Sequence, residues 1–233
     1  MLQACFIVLA LALVILVYMM TARESLNAIT DSQKQKRFIQ RTGLALVVWL
    51  IYVSAISVTG IFEKISFPPR IPLLLVLPTF LFFLYFFTNK KFKTIIDHTP
   101  HSWPVFFQSF RIIVELLIWG MFMAGIVPQS ATFEGHNFDI LIGLTAPLIA
   151  FFTFVKPKIG KSLFILWNIA GLATLLIVVY ILMRHSYFLS ENYSILHKGF
   201  GAFPYTFLAG LFMPLAVFMH IFSLVKAGRK PIE

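Results

Sequence analysis

The chain has few charged residues and almost no cysteine. Charged residues make up 12% of its 233 residues, and only nine are acidic. A soluble globular protein carries about 25% charged residues, so a soluble surface is excluded. The only cysteine is Cys5, which excludes a disulfide framework and a thiolate metal site. The hydrophobic fraction is 59%, with 27 phenylalanines, and this composition is typical of a protein that faces lipid.

Seven long apolar segments divide the chain. Each approaches or exceeds the ~20 residues that a helix needs to cross a bilayer. Their approximate bounds are 2–20, 44–62, 71–88, 105–127, 138–155, 162–183 and 203–225. No loop between them is long enough to hold a folded domain. The sequence therefore predicts a single all-α membrane domain over residues 1–233, a bundle of seven transmembrane helices.

Lysine and arginine are distributed unevenly between the loops. The first, third and fifth loops and the C-terminal tail hold fourteen of the nineteen, the other loops hold four, and one lies inside a segment. Loops rich in Lys and Arg stay in the cytoplasm, so the predicted N-terminus is outside and the C-terminus cytoplasmic. The first segment lacks the basic start of a signal peptide, and we expect a retained helix. The predicted location is a membrane that the chain crosses several times.

The net charge of +10 does not indicate nucleic acid binding, because the basic residues lie in loops beside the membrane rather than on one folded face. We expect membrane lipids as partners and no nucleic acid. The basic stretch 32–39 is expected to form a short interfacial helix of its own.

The strongest functional signal is a polar stripe in the fourth segment. Gln108, Arg111 and Glu115 are spaced three and then four residues apart, which places them on one helix face. An unpaired charge at that depth is costly, so we expect Arg111 and Glu115 to pair. Asn168 and His220 lie at a similar depth, ~10 Å from the inner ends of the sixth and seventh segments. The five residues predict a ligand- or ion-binding site, and a structural salt bridge that fixes the helix register is the alternative.

A second polar cluster precedes the fifth segment, in the acidic outer loop that contains Glu134, His136, Asn137 and Asp139. Such residues cap helix N-termini and interact with the helix dipole, which is the simpler interpretation. The functional interpretation is an outer mouth that attracts cations or a polar ligand. The last outer loop would add further polar side chains to it: His185, Tyr193 and His197.

Pro78, Pro147 and Pro214 lie inside the third, fifth and seventh segments. Each frees a backbone carbonyl and predicts a kink, and freed groups inside a membrane need donors from neighbours or water. Their spacing of 69 and 67 residues indicates either a two-helix repeat or a coincidence.

Motifs of metal and cofactor enzymes are missing. The sequence has no HExxH, no GxSxG, no phosphate loop and no histidine pair suited to haem. The group Asp97, His98 and His101 is only a weak candidate for zinc. The seventh segment has no internal lysine for a retinal Schiff base. We therefore predict neither a metal nor a cofactor.

Three stretches carry a resemblance to a known family: residues 108–119, 132–140 and 143–147. They resemble an uncharacterised family of bacterial polytopic membrane proteins. The resemblance implies a bacterial inner-membrane protein and implies no activity.

Three functions follow from these observations. The leading hypothesis is binding or translocation of a small solute or proton, in which Arg111 holds an anionic group or keeps Glu115 ionised, Glu115 binds a cation or proton, and His220 relays a proton. The second is a structural or assembly subunit whose charged stripe pairs with another membrane protein. The third is a membrane hydrolase that acts on lipid with Asp139, His136 and the loop histidines.

Overall fold

The computed structural model describes residues 1–189 and 194–229, which form helices and no strand. The all-α prediction is thus confirmed for this part of the chain. The helices are α1 (Leu2–Ala28), α2 (Ser32–Val58), α3 (Pro72–Thr88), α4 (Lys90–His98), α5 (Ser102–Met123), α6 (Asp139–Val155), α7 (Lys161–Tyr187) and α8 (Leu208–Arg229). Helical turns at Gln129–Ala131 and Leu196–Phe200 lie in the connections.

Length and composition indicate a multi-pass membrane protein. Over the described ranges, α1, α2, α5, α7 and α8 are long and apolar enough to cross a membrane. A sixth candidate is the pair α3 and α4, which is bent by 82°. The remaining apolar helix, α6, is shorter, with 12 residues of α-helix followed by a π-helical turn of 5 residues. Each of the seven predicted segments coincides with one of these helices.

The basic stretch after α1 does not form a separate interfacial helix, and that prediction is wrong. Asp31 caps α2, and its carboxylate accepts hydrogen bonds from the backbone N–H groups of Gln33 and Lys34 at 2.9 and 3.1 Å. These bonds, above all the one from Lys34, lower the pKa of the Asp31 carboxyl. Residues 32–39 are the first turns of a helix of 27 residues, because a good cap leads directly into the apolar segment.

The basic ends of the helices lie together. The guanidinium of Arg23 in α1 lies over the ring of Trp103 at the start of α5, 5.2 Å from its centre. Lys226 near the end of α8 donates hydrogen bonds to the carbonyls of Ile96 and Asp97 at the end of α4, at 2.9 and 3.0 Å. Both contacts lie around the connection between α4 and α5.

A π-helical turn adjoins each of the three internal prolines. The turns are Pro72–Val76 before Pro78, Leu208–Phe212 before Pro214 and Phe151–Val155 after Pro147. The turns of α3 and α8 end two residues before their prolines, whereas the turn of α6 begins four residues after its proline. In local geometry α3 and α8 resemble each other, and α6 does not share their pattern.

Two carbonyls that the prolines free receive hydrogen bonds from α2. The proline of α3 cannot donate to the carbonyl of Leu74, and the hydroxyl of Tyr52 donates to it at 3.1 Å. The proline of α8 likewise leaves the carbonyl of Gly210 free, and Trp49 Nε1 donates to it at 2.8 Å. Trp49 and Tyr52 are three residues apart and share one helix face. This face of α2 therefore binds both helices at carbonyls that their prolines leave without an intrahelical donor.

Candidate functional site

The connection between α5 and α6 folds back into the bundle. After α5 the chain turns at Gly125, whose φ of 73° is in the left-handed region, and it returns along α5 until Asn137 reaches Glu115. Glu115 is eight residues before the end of α5, a distance of about 12 Å along the helix. Irregular backbone at such depth is tolerated in a membrane only where it is buried in protein or lines a cavity. This return explains why α6 begins deep and is short.

Arg111 binds groups on three other helices. Its Nε donates a hydrogen bond to Asp139 Oδ2 on α6 at 2.7 Å, and its Nη2 forms an ion pair with Asp139 Oδ1. On α7, Nη2 donates to Thr174 Oγ1 at 3.0 Å and to the carbonyl of Gly171 at 3.3 Å. On α8, Nη1 contacts His220 Nε2 at 2.8 Å. The guanidinium therefore connects α5 to α6, α7 and α8 from a side chain that is only 1% exposed.

The expected pairing of Arg111 with Glu115 is wrong. Within residues 1–189 and 194–229 the ion pair of Arg111 is with Asp139, the first residue of α6. The carboxylate of Asp139 also accepts a hydrogen bond from Thr174 Oγ1 at 2.8 Å. An acidic residue at a helix N-terminus is further stabilised by the helix dipole. The spacing in the sequence favoured Glu115 as the partner of Arg111. Spacing along one helix cannot show that the loop brings Asp139 to the level of Arg111.

The hydrogen bonds fix the proton position on His220. A guanidinium donates hydrogen bonds and accepts none, so His220 Nε2 must accept from Arg111. Nδ1 then carries the proton and donates to Asn168 Oδ1 at 3.0 Å, and Asn168 Nδ2 donates to the carbonyl of Phe164 at 2.9 Å. The imidazole is thus neutral. The close approach of α7 and α8 here needs Gly171, because a Cβ at that position would collide with the His220 ring.

Glu115 lies beside this network and takes part in it only through Asn137. Asn137 Nδ2 donates to Glu115 Oε2 at 2.6 Å and to the carbonyl of Ala131 at 2.9 Å. Asn137 Oδ1 accepts from the backbone N–H of Asp139 at 2.9 Å. Glu115 Oε1 accepts no hydrogen bond from the part of the chain that the structure describes. One carboxylate oxygen is therefore left for another partner.

A cavity of about 240 Å³ adjoins this carboxylate. Arg111, Glu115 and Asp139 form its polar end. Its walls are apolar side chains of α3, α5, α7 and α8, and it extends to Ser186 and Tyr187 near the end of α7. Apolar walls with a few polar groups at one end are typical of a site for a small molecule.

Gln108 is buried in the same stripe and has a different partner from the rest of the site. Its Nε2 donates to the carbonyl of Ala216 on α8 at 3.0 Å. Its Oε1 is buried, and no group of the described residues donates to it. The structure therefore brings Arg111, Asn168 and His220 into one network, with Glu115 and Gln108 each next to it.

The predicted outer mouth is divided by the fold. Glu134 and His136 are exposed, whereas Asn137 and Asp139 are 1% and 3% exposed and belong to the buried network. Glu134 accepts a hydrogen bond from Trp119 Nε1 at 3.0 Å. One hydrogen bond that the simple capping interpretation expects is present: the backbone N–H of Asp139 donates to Asn137 Oδ1. The sequence could not separate the two pairs, because it does not show how far the connection returns along α5 before α6 begins.

The last outer loop contributes two histidines to the described part of the chain. His185 Nδ1 lies 2.8 Å from the carbonyl of Ile181 in its own helix, and His197 is exposed. Tyr193 lies outside the described residues. Where the chain is described, no group of three His, Cys, Asp or Glu residues could hold a metal ion, and this includes the stretch from Asp97 to His101.

Comparison with known proteins identifies a family without a function. No curated protein and no solved structure matches the chain. The family described as "Domain of unknown function (DUF8737)" matches residues 68–227. The match begins just before α3, ends within α8 and includes every residue of the polar network. Because it covers more than half of the chain, the protein belongs to this family of domains of unknown function.

Proposed function

We propose that this protein binds a small cationic solute with an apolar body in the cavity beside Glu115. The observation that carries the proposal is the free Oε1 of Glu115 at the polar end of an apolar cavity. Ionisable groups inside a membrane are costly, and they most often belong to a path or site for an ion or ligand.

The charge count at the polar end favours a cation. Arg111 and Asp139 form an ion pair and neutralise each other. Glu115 then leaves one negative charge beside the cavity, and its nearest hydrogen-bond partner, Asn137, is a neutral amide. A ligand ammonium group would supply the missing positive charge and donate to Oε1. A protonated Glu115 would satisfy the same requirement, so a proton is the competing occupant.

The size and walls of the cavity favour a small molecule. Its volume of about 240 Å³ lies below the ~300–1,000 Å³ of sites for drug-sized ligands. Apolar side chains form most of its walls, with Ser186 and Tyr187 toward the end of α7, so the body of the ligand should be a short alkyl or single-ring group.

The other network residues act as positioning groups in this proposal. The hydrogen bonds of Arg111 go to protein atoms, so its role is to hold four helices in register rather than to bind an anion. His220 donates through Nδ1 to Asn168 and accepts through Nε2 from Arg111, and it serves the same purpose. Glu115 keeps the role of cation-binding group.

Binding of benzylammonium tests the proposal, with toluene as a neutral molecule of similar shape. We expect benzylammonium to raise the thermal stability of the detergent-solubilised protein. A ligand at 100 times its Kd stabilises a protein by about 2.7 kcal/mol, so the shift is measurable. Toluene should have a much smaller effect. The Glu115→Gln variant should lose the response to benzylammonium.

Glu134→Gln is the matched control, since Glu134 lies in the connection that carries Asn137 but is exposed. It should respond to benzylammonium as the wild type does. An equal response in wild type and Glu115→Gln would overturn the proposal. A different result would make the proton the ligand of Glu115 in place of the cationic solute. In that case benzylammonium would not change the thermal stability of the wild type, and Glu115→Gln would abolish a proton flux in liposomes.

The proposed setting is the bacterial inner membrane, crossed seven times with the N-terminus outside and the C-terminus in the cytoplasm. The distribution of basic residues supports this orientation, and the deep start of α6 accounts for its short length. In a Cys5→Ser background, Lys64→Cys should react with an impermeant thiol reagent added to intact cells, and Lys158→Cys should not. Both side chains are exposed. The opposite pattern would invert the topology.

The two alternative functions receive less support from the geometry. An assembly subunit was inferred from a charged stripe that faces a partner, but Arg111 and Glu115 are each 1% exposed within this chain. The hydrolase hypothesis depends on Asp139, His136 and the loop histidines, of which His185 contacts a carbonyl of its own helix. Both oxygens of Asp139 are bound by Arg111, and His136 is exposed on the loop.

A further inference from the structure

A second cavity lies at the basic end of the bundle and takes no part in the polar site. It has a volume of about 650 Å³ and is lined by Lys90, Lys93 and Asp97 of α4 and by Arg229 at the end of α8. Arg229 is nine residues beyond His220, about 13 Å along α8. We call this cavity the basic cleft.

The position of α4 in the basic cleft is fixed by buried contacts. α4 buries Ile95 and Ile96, at 6% and 1% exposure, and exposes Lys90 and Lys93 on its other side. Lys226 of α8 is itself 2% exposed and donates hydrogen bonds to the last carbonyls of α4. A cation at a helix C-terminus also interacts favourably with the helix dipole. The cleft is therefore a formed feature between two helices rather than a set of loose lysines.

The charges of the basic cleft match a phosphate group. Lys90, Lys93 and Arg229 supply three positive charges against the one carboxylate of Asp97, which leaves an excess of two. Lys90 and Lys93 are three residues apart and share one helix face. An arginine guanidinium can donate two parallel hydrogen bonds to phosphate oxygens.

We propose that the basic cleft binds the phosphate group of an anionic membrane lipid. α4 follows the apolar helix α3 after one residue and is bent from it by 82°. A short helix with one apolar and one basic face at such a bend is suited to lie at the level of the lipid headgroups. There the phosphates of lipids are far more concentrated than soluble phosphate.

Retention of phosphatidic acid tests this proposal. The full chain is placed in nanodiscs of phosphatidylcholine with a graded fraction of phosphatidic acid, transferred to mild detergent and examined by native mass spectrometry. We expect one retained phosphatidic acid for each protein. In Lys93→Gln/Arg229→Gln the apparent affinity should fall about 30-fold, because each basic residue near an anionic surface contributes a factor of about five.

The matched control is Lys36→Gln/Lys158→Gln, which removes the same charge from exposed positions in other basic segments. It should retain the lipid. The exchange Lys93→Arg/Arg229→Lys preserves the charge and should also retain it, which separates charge from misfolding. Equal loss in both charge-removing variants would show general attraction to the membrane and overturn the proposal. Displacement of the lipid by millimolar inorganic phosphate would make the soluble anion the ligand and overturn the lipid assignment.

Discussion

Removing one partner of the ion pair between Arg111 and Asp139 should destabilise the protein more than removing both. Arg111→Gln leaves the carboxylate of Asp139 buried without its cation, and Asp139→Asn leaves the guanidinium without its anion. Breaking a buried pair by removal of one partner costs about 3–5 kcal/mol. In the double variant two neutral amides face each other, and the cost of an unpaired buried charge disappears.

The magnitude of the coupling follows from the contacts. Asp139 accepts from both Nε and Nη2 of Arg111, so the two single substitutions remove the same interaction. We expect the double variant to be no less stable than either single variant, so the coupling free energy should be at least about 3 kcal/mol. The parallel cycle of Arg111→Gln and Glu115→Gln should give less than about 1 kcal/mol, because Glu115 binds Asn137 instead.

Reversible unfolding in mixed micelles, followed by circular dichroism, measures all four free energies of unfolding in each cycle. The reasoning is refuted if the coupling of Arg111 with Glu115 equals or exceeds its coupling with Asp139. Additive effects in the Asp139 cycle would also refute it, since independent substitutions would mean that the two side chains do not share an interaction.

Two further substitutions test the packing around the network. Gly171→Ala should displace the ring of His220 and destabilise the protein by about 2–4 kcal/mol through the loss of two buried hydrogen bonds. Thermal unfolding measures this cost. The control is Gly228→Ala, for which little change is expected because a Cβ there meets no atom within 4 Å. Trp49→Phe should cost about 1 kcal/mol, because it removes the donor to the free carbonyl of Gly210, and unchanged stability in the same assay would contradict that role.

The sequence was sufficient to predict a chain of apolar helices and three residues of the polar network. Charged and amide residues inside apolar segments are conspicuous, and the rise of an α-helix converts their positions into depths. That arithmetic placed Arg111, Asn168 and His220 at one level, and the structure joins them by hydrogen bonds.

The rest of the network depends on the path of a connection that has no periodic pattern. Asp139 was assigned to an outer loop, and only the return of the chain along α5 brings it to Arg111. Thr174 carried no signal, because a threonine in an apolar helix usually bonds to its own backbone. The donors on α2 had a weak signal in the sequence. Trp49 and Tyr52 place an indole N–H and a hydroxyl on one face of an apolar helix. Each internal proline also leaves a carbonyl that needs another donor.

Native mass spectrometry of the protein extracted gently from its own membranes tests the central claim most directly. The claim is that Glu115 holds a small cationic solute, so the wild type should carry one small adduct for each protein. The adduct should be absent from Glu115→Gln and present in Glu134→Gln. The same adduct on Glu115→Gln at undiminished occupancy, or a wild-type protein without any small adduct, would contradict the claim.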